Sequence, residues 1–197
     1  MSNLISPTKQ KFSSFRRRAA TVAAGLMLFC CSAWPQMPPG GRPLPDVPVK
    51  TGPNSSVDLK QFRGKPLVIG LISSTCDHCV KAMNTFRDLQ TKYRADGLRV
   101  VVAIGDPIPI TEVTAFAEKH RANFPVGFLN QPEFIKMAAL KPGQRPFVPI
   151  VMFVDPKGMV RLQYFGDDAI MKSDVNAAIT LTTEHLLKDS ATTTAKK

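Results

Sequence analysis

Pro66-Leu67-Val68-Ile69-Gly70-Leu71-Ile72-Ser73, followed shortly by Cys76-Asp77-His78-Cys79, is the stretch that decides how this chain folds. The first part is apolar, short and bounded by Gly64 and Ser73, the mark of a strand buried on both faces. The second part opens a segment in which Val80, Met83, Phe86, Leu89 and Tyr93 recur at steps of three or four, the period of a helix with one apolar face. Two cysteines in C-x-x-C spacing at a strand-to-helix junction form a redox geometry. The first sulfur meets the free N–H groups and positive dipole end of the helix, which stabilise a thiolate. The second lies one turn further on and can close a disulfide. A disulfide across so short a loop adds little by loop entropy, which argues against a structural staple.

Working outward, residues 76–94 make one helix that Asp96-Gly97 ends, and residues 98–104 make a second buried strand closed by Gly105-Asp106-Pro107. Val57-Asp58-Leu59 is a short strand candidate and residues 61–65 a turn. Thr111 is expected to cap a helix running to about Arg121. Residues 124–128 read as extended, and residues 131–140 as a short helix with Pro132 near its start. Residues 149–154 and 159–165 form two strands joined by the turn Asp155-Pro156-Lys157-Gly158, and residues 168–188 a terminal helix. Met83, Phe86, Phe147, Phe153 and Phe165 are expected in the core. The order β, α, β, α, β-β, α implies a parallel centre with an antiparallel edge. The fold class is therefore α/β, a three-layer α/β/α sandwich with a mixed central sheet and the C-x-x-C at the carboxyl end of a central strand, where chemistry gathers in such folds.

The chain has 197 residues, a net charge of +11 and four cysteines, a length that fits one domain plus tails. Residues 1–33 hold five basic residues and no acid. Arg16-Arg17-Arg18 precede an apolar run over residues 19–29, and Cys31-Ser32-Ala33 then places small residues where a signal peptidase cuts. Residues 1–33 are thus expected to be an export signal. The alternative is an uncleaved N-terminal anchor over residues 19–34, shorter than the roughly 20 residues of a comfortable span. Removal of this segment takes Cys30 and Cys31 with it and leaves Cys76 and Cys79 as the remaining pair. Residues 34–43, rich in Pro and Gly, read as an extended spacer, residues 44–188 as the domain, and residues 189–197 as a polar, disordered tail. The later basic residues are scattered among acids without an aromatic-interleaved patch, so nucleic acid is not an expected partner. Membrane contact is expected only through an uncleaved N-terminus.

The ordered set Leu44-Pro45-Asp46, then residues 59–66 (LKQFRGKP), then C-D-H-C, then residues 148–158 (VPIVMFVDPKG) resembles the exported thioredoxin-like proteins of the TlpA/ResA type, over about residues 44–188. The resemblance implies a thioredoxin-like domain and a thiol–disulfide oxidoreductase. It implies a cis proline at Pro149 lying against the active-site disulfide, and a Val148 backbone that binds an extended substrate chain by strand addition. Protein thiols and disulfides would be the partners, with a membrane thiol reductase as electron donor if the protein works as a reductant. Two departures stand out. Thr75 occupies the place of the family's Trp before the first Cys. Ala82 and Asn84 stand where the family often has Glu and, two places on, Pro, so no obvious buried base serves Cys79.

The site expected from these readings comprises Cys76 as nucleophile, Cys79 as resolving thiol, His78 as tuner of the thiolate and Pro149 as shaper of the binding face, with Val148, Thr75 and Asp77 beside the substrate. An imidazolium at His78 favours a Cys76 thiolate and a more oxidising couple, whereas the Asp77 carboxylate opposes it. The expected function is exchange of the Cys76–Cys79 disulfide with protein substrates as a reductant, with no cofactor. Haem attachment by C-x-x-C-H fails because Val80 follows Cys79. Other readings stand beside it. A peroxiredoxin-like peroxidase needs P-x-x-x-[ST]-x-x-C, and Ser73 fits while Ile69 replaces the proline. A copper-chaperone-like metal module has two thiolates but too few further ligands for a structural zinc site, His120 and His185 being the only other imidazoles and expected at the surface. An adaptor with an inert pair is the blandest reading.

Overall fold

The computed structural model describes residues 41–194. The segment read as an export signal, residues 34–40 of the spacer, and residues 195–197 lie outside the described residues. In chain order the elements are β1 (Arg42–Pro43), β2 (Val49–Gly52), β3 (Ser55–Val57), a 3-10 turn (Leu59–Phe62), β4 (Leu67–Ile72), α1 (Asp77–Tyr93), β5 (Arg99–Ile104), α2 (Ile110–Lys119), β6 (Val126–Phe128), α3 (Gln131–Ala138), β7 (Ile150–Val154), β8 (Met159–Tyr164), α4 (Ala169–Ser173) and α5 (Val175–Thr194). The eight strands form one sheet in the order β1-β8-β7-β4-β5-β6-β2-β3. β4 pairs in parallel with β5, and β5 with β6, while β7 runs antiparallel to β4 and β8 antiparallel to β7. This is the α/β/α sandwich with a mixed sheet expected from the element order.

Because side chains alternate along a strand, the central strands feed two cores. Val68, Ile72, Val100, Val102, Val151 and Phe153 join Met83, Phe86 and Leu89 of α1 and Ile179 and Leu186 of α5 on one face. Leu67, Ile69, Leu71, Val101, Ile150 and Met152 join Phe134 and Met137 of α3 on the other, together with Val47, Val49 and Leu59. All six residues of β4 are buried, the consequence of cover on both faces. Gln90, itself buried, extends the sheet by side chain: its Nε2 donates to Leu98 O at 3.1 Å and its Oε1 accepts from Val100 N at 2.9 Å. The second bond gives a partner to a buried backbone N–H at the start of β5, and Leu98 O also accepts from Arg99 Nη1 at 2.7 Å.

The structure departs from the sequence reading at several element ends. Leu59 opens a 3-10 turn rather than ending a strand, because Asp58 caps it by accepting from Lys60 N at 2.9 Å. Strand pairing falls instead on Val49–Gly52 and Ser55–Val57. Thr111 does not cap α2; the helix starts at Ile110 with Pro109, whose fixed φ suits the entry, at the cap position. The terminal helix is two helices. Asp174 breaks it with an extended backbone, and its Oδ1 accepts from Asn176 N and Ala177 N to start α5. The tail expected from Asp189 onward is helical to Thr194, and Ser190 is buried with its hydroxyl on Leu186 O at 2.7 Å. At the other end, Arg42 and Pro43, read as the end of the spacer, pair with β8, and Arg42 donates to Met137 O and Gln163 Oε1. Phe153 is buried and Phe165 partly buried as expected, but Phe147 is 50% exposed. Phe147 belongs to residues 141–147, an exposed loop that leads into β7.

Candidate active site

β4 ends at Ile72, and Ser73-Ser74-Thr75 carry the chain to Cys76, which is the N-cap of α1 with extended backbone angles of φ −91° and ψ 115°. A cysteine fits this position because its sulfur can take one of the helix's unpaired donors: Cys79 N–H donates to Cys76 Sγ at 3.2 Å. Asp77 in the first turn adds a negative charge that suits the helix N-terminus. Cys76 is half-buried, whereas Cys79, facing into the core with Met83 and Phe86, is 0% exposed. Both are thiols.

From the antiparallel side, the segment before β7 closes over the pair. Cys76 Sγ donates to Val148 O at 3.8 Å, and the Val148–Pro149 peptide bond is cis, with Pro149 buried. The sheet topology therefore brings Cys76, Cys79, Val148 and Pro149 together from chain segments about 70 residues apart. Thr75 is exposed and shares a hydrogen bond of 3.1 Å with Ser73 Oγ. Asp77 and His78 are exposed on the first turn of α1, and among the described residues no hydrogen bond links either side chain to a sulfur. Position 82 holds a fully buried alanine.

Two residues that the sequence reading passed over support this arrangement. Asp106, just past β5, accepts from Ser74 N and from Ser74 Oγ at 2.7 Å, fixing the loop that carries Cys76. Its signal was its place at the carboxyl end of a strand parallel to β4. Gly166 donates through N–H to Phe147 O at 2.7 Å, and a Cβ there would lie 2.4 Å from Val148 O and 2.7 Å from Val148 C. Backbone cannot give way as a side-chain tip can. Gly166→Ala is therefore expected to push the Val148 carbonyl from Cys76 and to slow reaction with a protein disulfide about tenfold. A 1 Å displacement at a reacting centre can cost up to about a hundredfold. Stopped-flow kinetics checks this; an unchanged rate would mean the segment before β7 has room to shift.

The Cys79 thiol is pushed far above its ordinary value of 9.0. Burial is the main cause, followed by its hydrogen bond with Cys76, with the charges of Cys76 and Asp106 adding; a backbone hydrogen bond from Ser73 works the other way. The sign of the linkage follows. Above pH 9 the unfolded chain releases this proton and the folded chain keeps it, so the folded state binds more protons and stability falls as pH rises. Below that value the thiol is protonated in both states and contributes no slope. The unfolding free energy of the reduced protein, measured by urea titration, is expected to fall above pH 9 by up to about 1.4 kcal/mol per pH unit, and Cys79→Ala should flatten the decline. An equal slope in both proteins would mean that other groups carry it.

The AhpC/TSA family profile matches residues 41–163, more than half of the chain. The chain belongs to the AhpC/TSA family. Within this family's fold, the chain is similar to the thiol-disulfide oxidoreductase ResA of Bacillus thuringiensis subsp. konkukian (strain 97-27), at 25% identity over 127 residues covering 64% of this chain and 70% of that protein. Among solved structures, one neighbour is a Chlorobium tepidum protein provisionally assigned as the thiol:disulfide interchange protein DsbE. It has a TM-score of 0.58 and 23% identity, and the match covers 73% of this chain and 96% of that one. Another is the thioredoxin domain of a Bacteroides vulgatus thiol-disulfide oxidoreductase, with a TM-score of 0.55, 17% identity, and 68% and 93% covered. These two structural likenesses speak for the thioredoxin-like fold of the AhpC/TSA chain described here.

Proposed function

We propose that the protein is a thiol–disulfide oxidoreductase whose reacting centre is the Cys76–Cys79 pair. The observation that carries this reading is the asymmetry of the two sulfurs. Cys76 is reachable at a helix N-terminus with the Cys79 N–H on its sulfur, and Cys79 is sealed beside it with its thiol strongly favoured over thiolate. The likeness to ResA, a thiol-disulfide oxidoreductase by name, supports the same activity.

In the proposed cycle the Cys76 thiolate attacks one sulfur of a substrate disulfide. A Cys76–substrate bond forms, the substrate S–S bond breaks, and the departing substrate thiolate takes a proton from solvent. Cys79 then loses its proton and attacks Cys76 Sγ. The Cys76–Cys79 bond forms, the second substrate thiol leaves, and two electrons have passed to the substrate. Val148 and Pro149 form the wall against which an extended substrate segment lies, with Thr75, Asp77 and His78 at its exposed rim.

The favoured direction is reduction of the substrate. The exposed carboxylate of Asp77 in the first turn favours this direction, whereas the Cys79 N–H on Cys76 Sγ favours the opposite one. Arg16-Arg17-Arg18 ahead of the apolar residues 19–29 support an exported setting, and the reductant reading implies a membrane thiol reductase as electron donor. The peroxidase reading lacks its proline, Ile69 being a core residue of β4. For the metal reading, no group of three or more His, Cys, Asp or Glu is placed to hold an ion among the described residues.

Equilibration of residues 34–197 in defined thiol buffers, with the two cysteines counted by alkylation, tests the proposal. A reversible two-electron couple below about −240 mV is expected. A couple near −120 to −180 mV would reverse the direction, and the absence of a couple would overturn the activity.

A further inference from the structure

The carboxylate often found three residues after the second cysteine is missing at Ala82, but another carboxylate reaches the site from a different element. Asp106 stands just past the end of β5, half-buried. There Gly105 N–H donates to Ile72 O at 3.0 Å, joining the ends of β4 and β5. The Asp106 carboxylate takes both the backbone N–H and the hydroxyl of Ser74, the latter at 2.7 Å, through the same oxygen. The carbonyl of Ser73, the residue before, accepts from Cys76 N–H at 3.3 Å, and Cys79 N–H in turn donates to Cys76 Sγ at 3.2 Å. A continuous path therefore runs from Asp106 through Ser74 and Ser73 to Cys76, and from the Cys76 sulfur to the Cys79 backbone. We propose that Asp106 is a positioning residue for the resolving step, clamping Ser74 so that the loop before α1 holds Cys76 against Cys79 while Cys79 attacks the mixed disulfide. This inference rests on the exchange reading and adds a residue to it.

The step is the second half of the cycle. Cys79 gives its proton to solvent and its sulfur attacks Cys76 Sγ. The Cys76–Cys79 bond forms, the bond from Cys76 to the substrate breaks, and the leaving thiolate is protonated by solvent. The clamp helps by keeping Cys76 Sγ in line with the attacking Cys79 sulfur. The negative charge of Asp106 works against that thiolate. The two effects separate by substitution. Asp106→Asn keeps an oxygen for Ser74 and removes the charge, whereas Asp106→Ala removes both. The titratable groups that act on Cys79 are Cys76 at the N-cap of α1 and Asp106 just past β5. Exposed Asp77 and His78 are unchanged in every variant. The element after β8 brings apolar Met171 to the same cluster, and Asp168 there is engaged with Phe165 N–H at 2.7 Å.

The test uses the full-length protein loaded at Cys76 with glutathione as a mixed disulfide, following release of glutathione by stopped flow from pH 6 to 10. Release from Asp106→Ala is expected to be about tenfold slower at pH 7. Asp106→Asn should recover the wild-type rate or exceed it, with its pH–rate midpoint moved to lower pH. Ser74→Ala, which keeps the backbone donor, should fall between. Equal rates and an unmoved profile in Asp106→Asn and Asp106→Ala would overturn the proposal while leaving exchange intact. Should Asp106→Ala fail to fold, an unmoved profile in Asp106→Asn alone overturns it. No release from the wild-type protein at any pH would overturn the exchange reading and this inference with it.

Discussion

Cys76→Ser is expected to abolish turnover of a disulfide substrate, and Cys79→Ser to stop after one step with the substrate held covalently on Cys76. The asymmetry of the site makes the two outcomes different. Cys76 is half-buried at a helix N-terminus, and a hydroxyl there cannot replace a thiolate, so the loss should be on the order of a thousandfold or more. Cys79 is 0% exposed, with its thiolate disfavoured by burial, so it cannot begin the reaction in place of its neighbour. Without Cys79, the adduct lacks its nearest nucleophile and persists until an outside thiol resolves it. Oxidised glutathione is a sufficient probe, with mass spectrometry to place the adduct. Turnover retained in Cys76→Ser, or an adduct found on Cys79 in the wild-type protein, would assign the roles the other way.

Much of this site is legible in the sequence because its chemistry is local. The apolar run of β4, the helical period of α1 and two cysteines at their junction lie within about thirty residues, and each follows from backbone periodicity alone. Val148 and Pro149 came from resemblance, since nothing in their own segment marks them as lying against Cys76. That placement depends on β7 pairing antiparallel beside β4. Asp106 went unread for the same reason. An Asp in a Gly-Asp-Pro turn looks like loop chemistry until the parallel β4–β5 register puts it beside Ser74. Phe147 shows the opposite failure. Its apolar side chain suggests core, but the exposed loop over residues 141–147 carries it outward next to the site. Errors at helix ends have another cause. Asp174 and Pro109 stand at cap positions whose role depends on backbone angles, and the left-handed backbone of Ala139 ends α3 at Ala138, short of the residue 140 expected.

Phe86→Ala is expected to cost the largest stability loss of any single core substitution beneath the site, about 3–5 kcal/mol. Phe86 is fully buried on the face of α1 that lies on the sheet, and its ring meets Phe124 edge-on with centroids 6.4 Å apart. It also fits over a glycine. A Cβ built at Gly70, in the middle of β4, would lie 2.6 Å and 2.9 Å from Cε2 and Cζ of Phe86 and 3.3 Å from Val102 Cγ2. Gly70 therefore leaves room for the ring, and the ring holds α1 on β4 behind the two cysteines. Gly70→Ala alone should overpack this layer and destabilise by about 1–3 kcal/mol. Together the two changes should cost less than their sum, because the added methyl enters space the ring has vacated. A coupling of at least about 1 kcal/mol is the scale for residues in direct contact. Urea unfolding of the reduced proteins in a double-mutant cycle measures it, and alkylation of Cys79 gives a second reading. As α1 loosens, the buried thiol should react faster in Phe86→Ala, and Gly70→Ala should partly reverse that rise in the double variant. Strict additivity with unchanged Cys79 labelling would mean that α1 is held on the sheet by other contacts, Met83 and Leu89 against β4 and β5 among them, and that the ring's fit over Gly70 is incidental to the site.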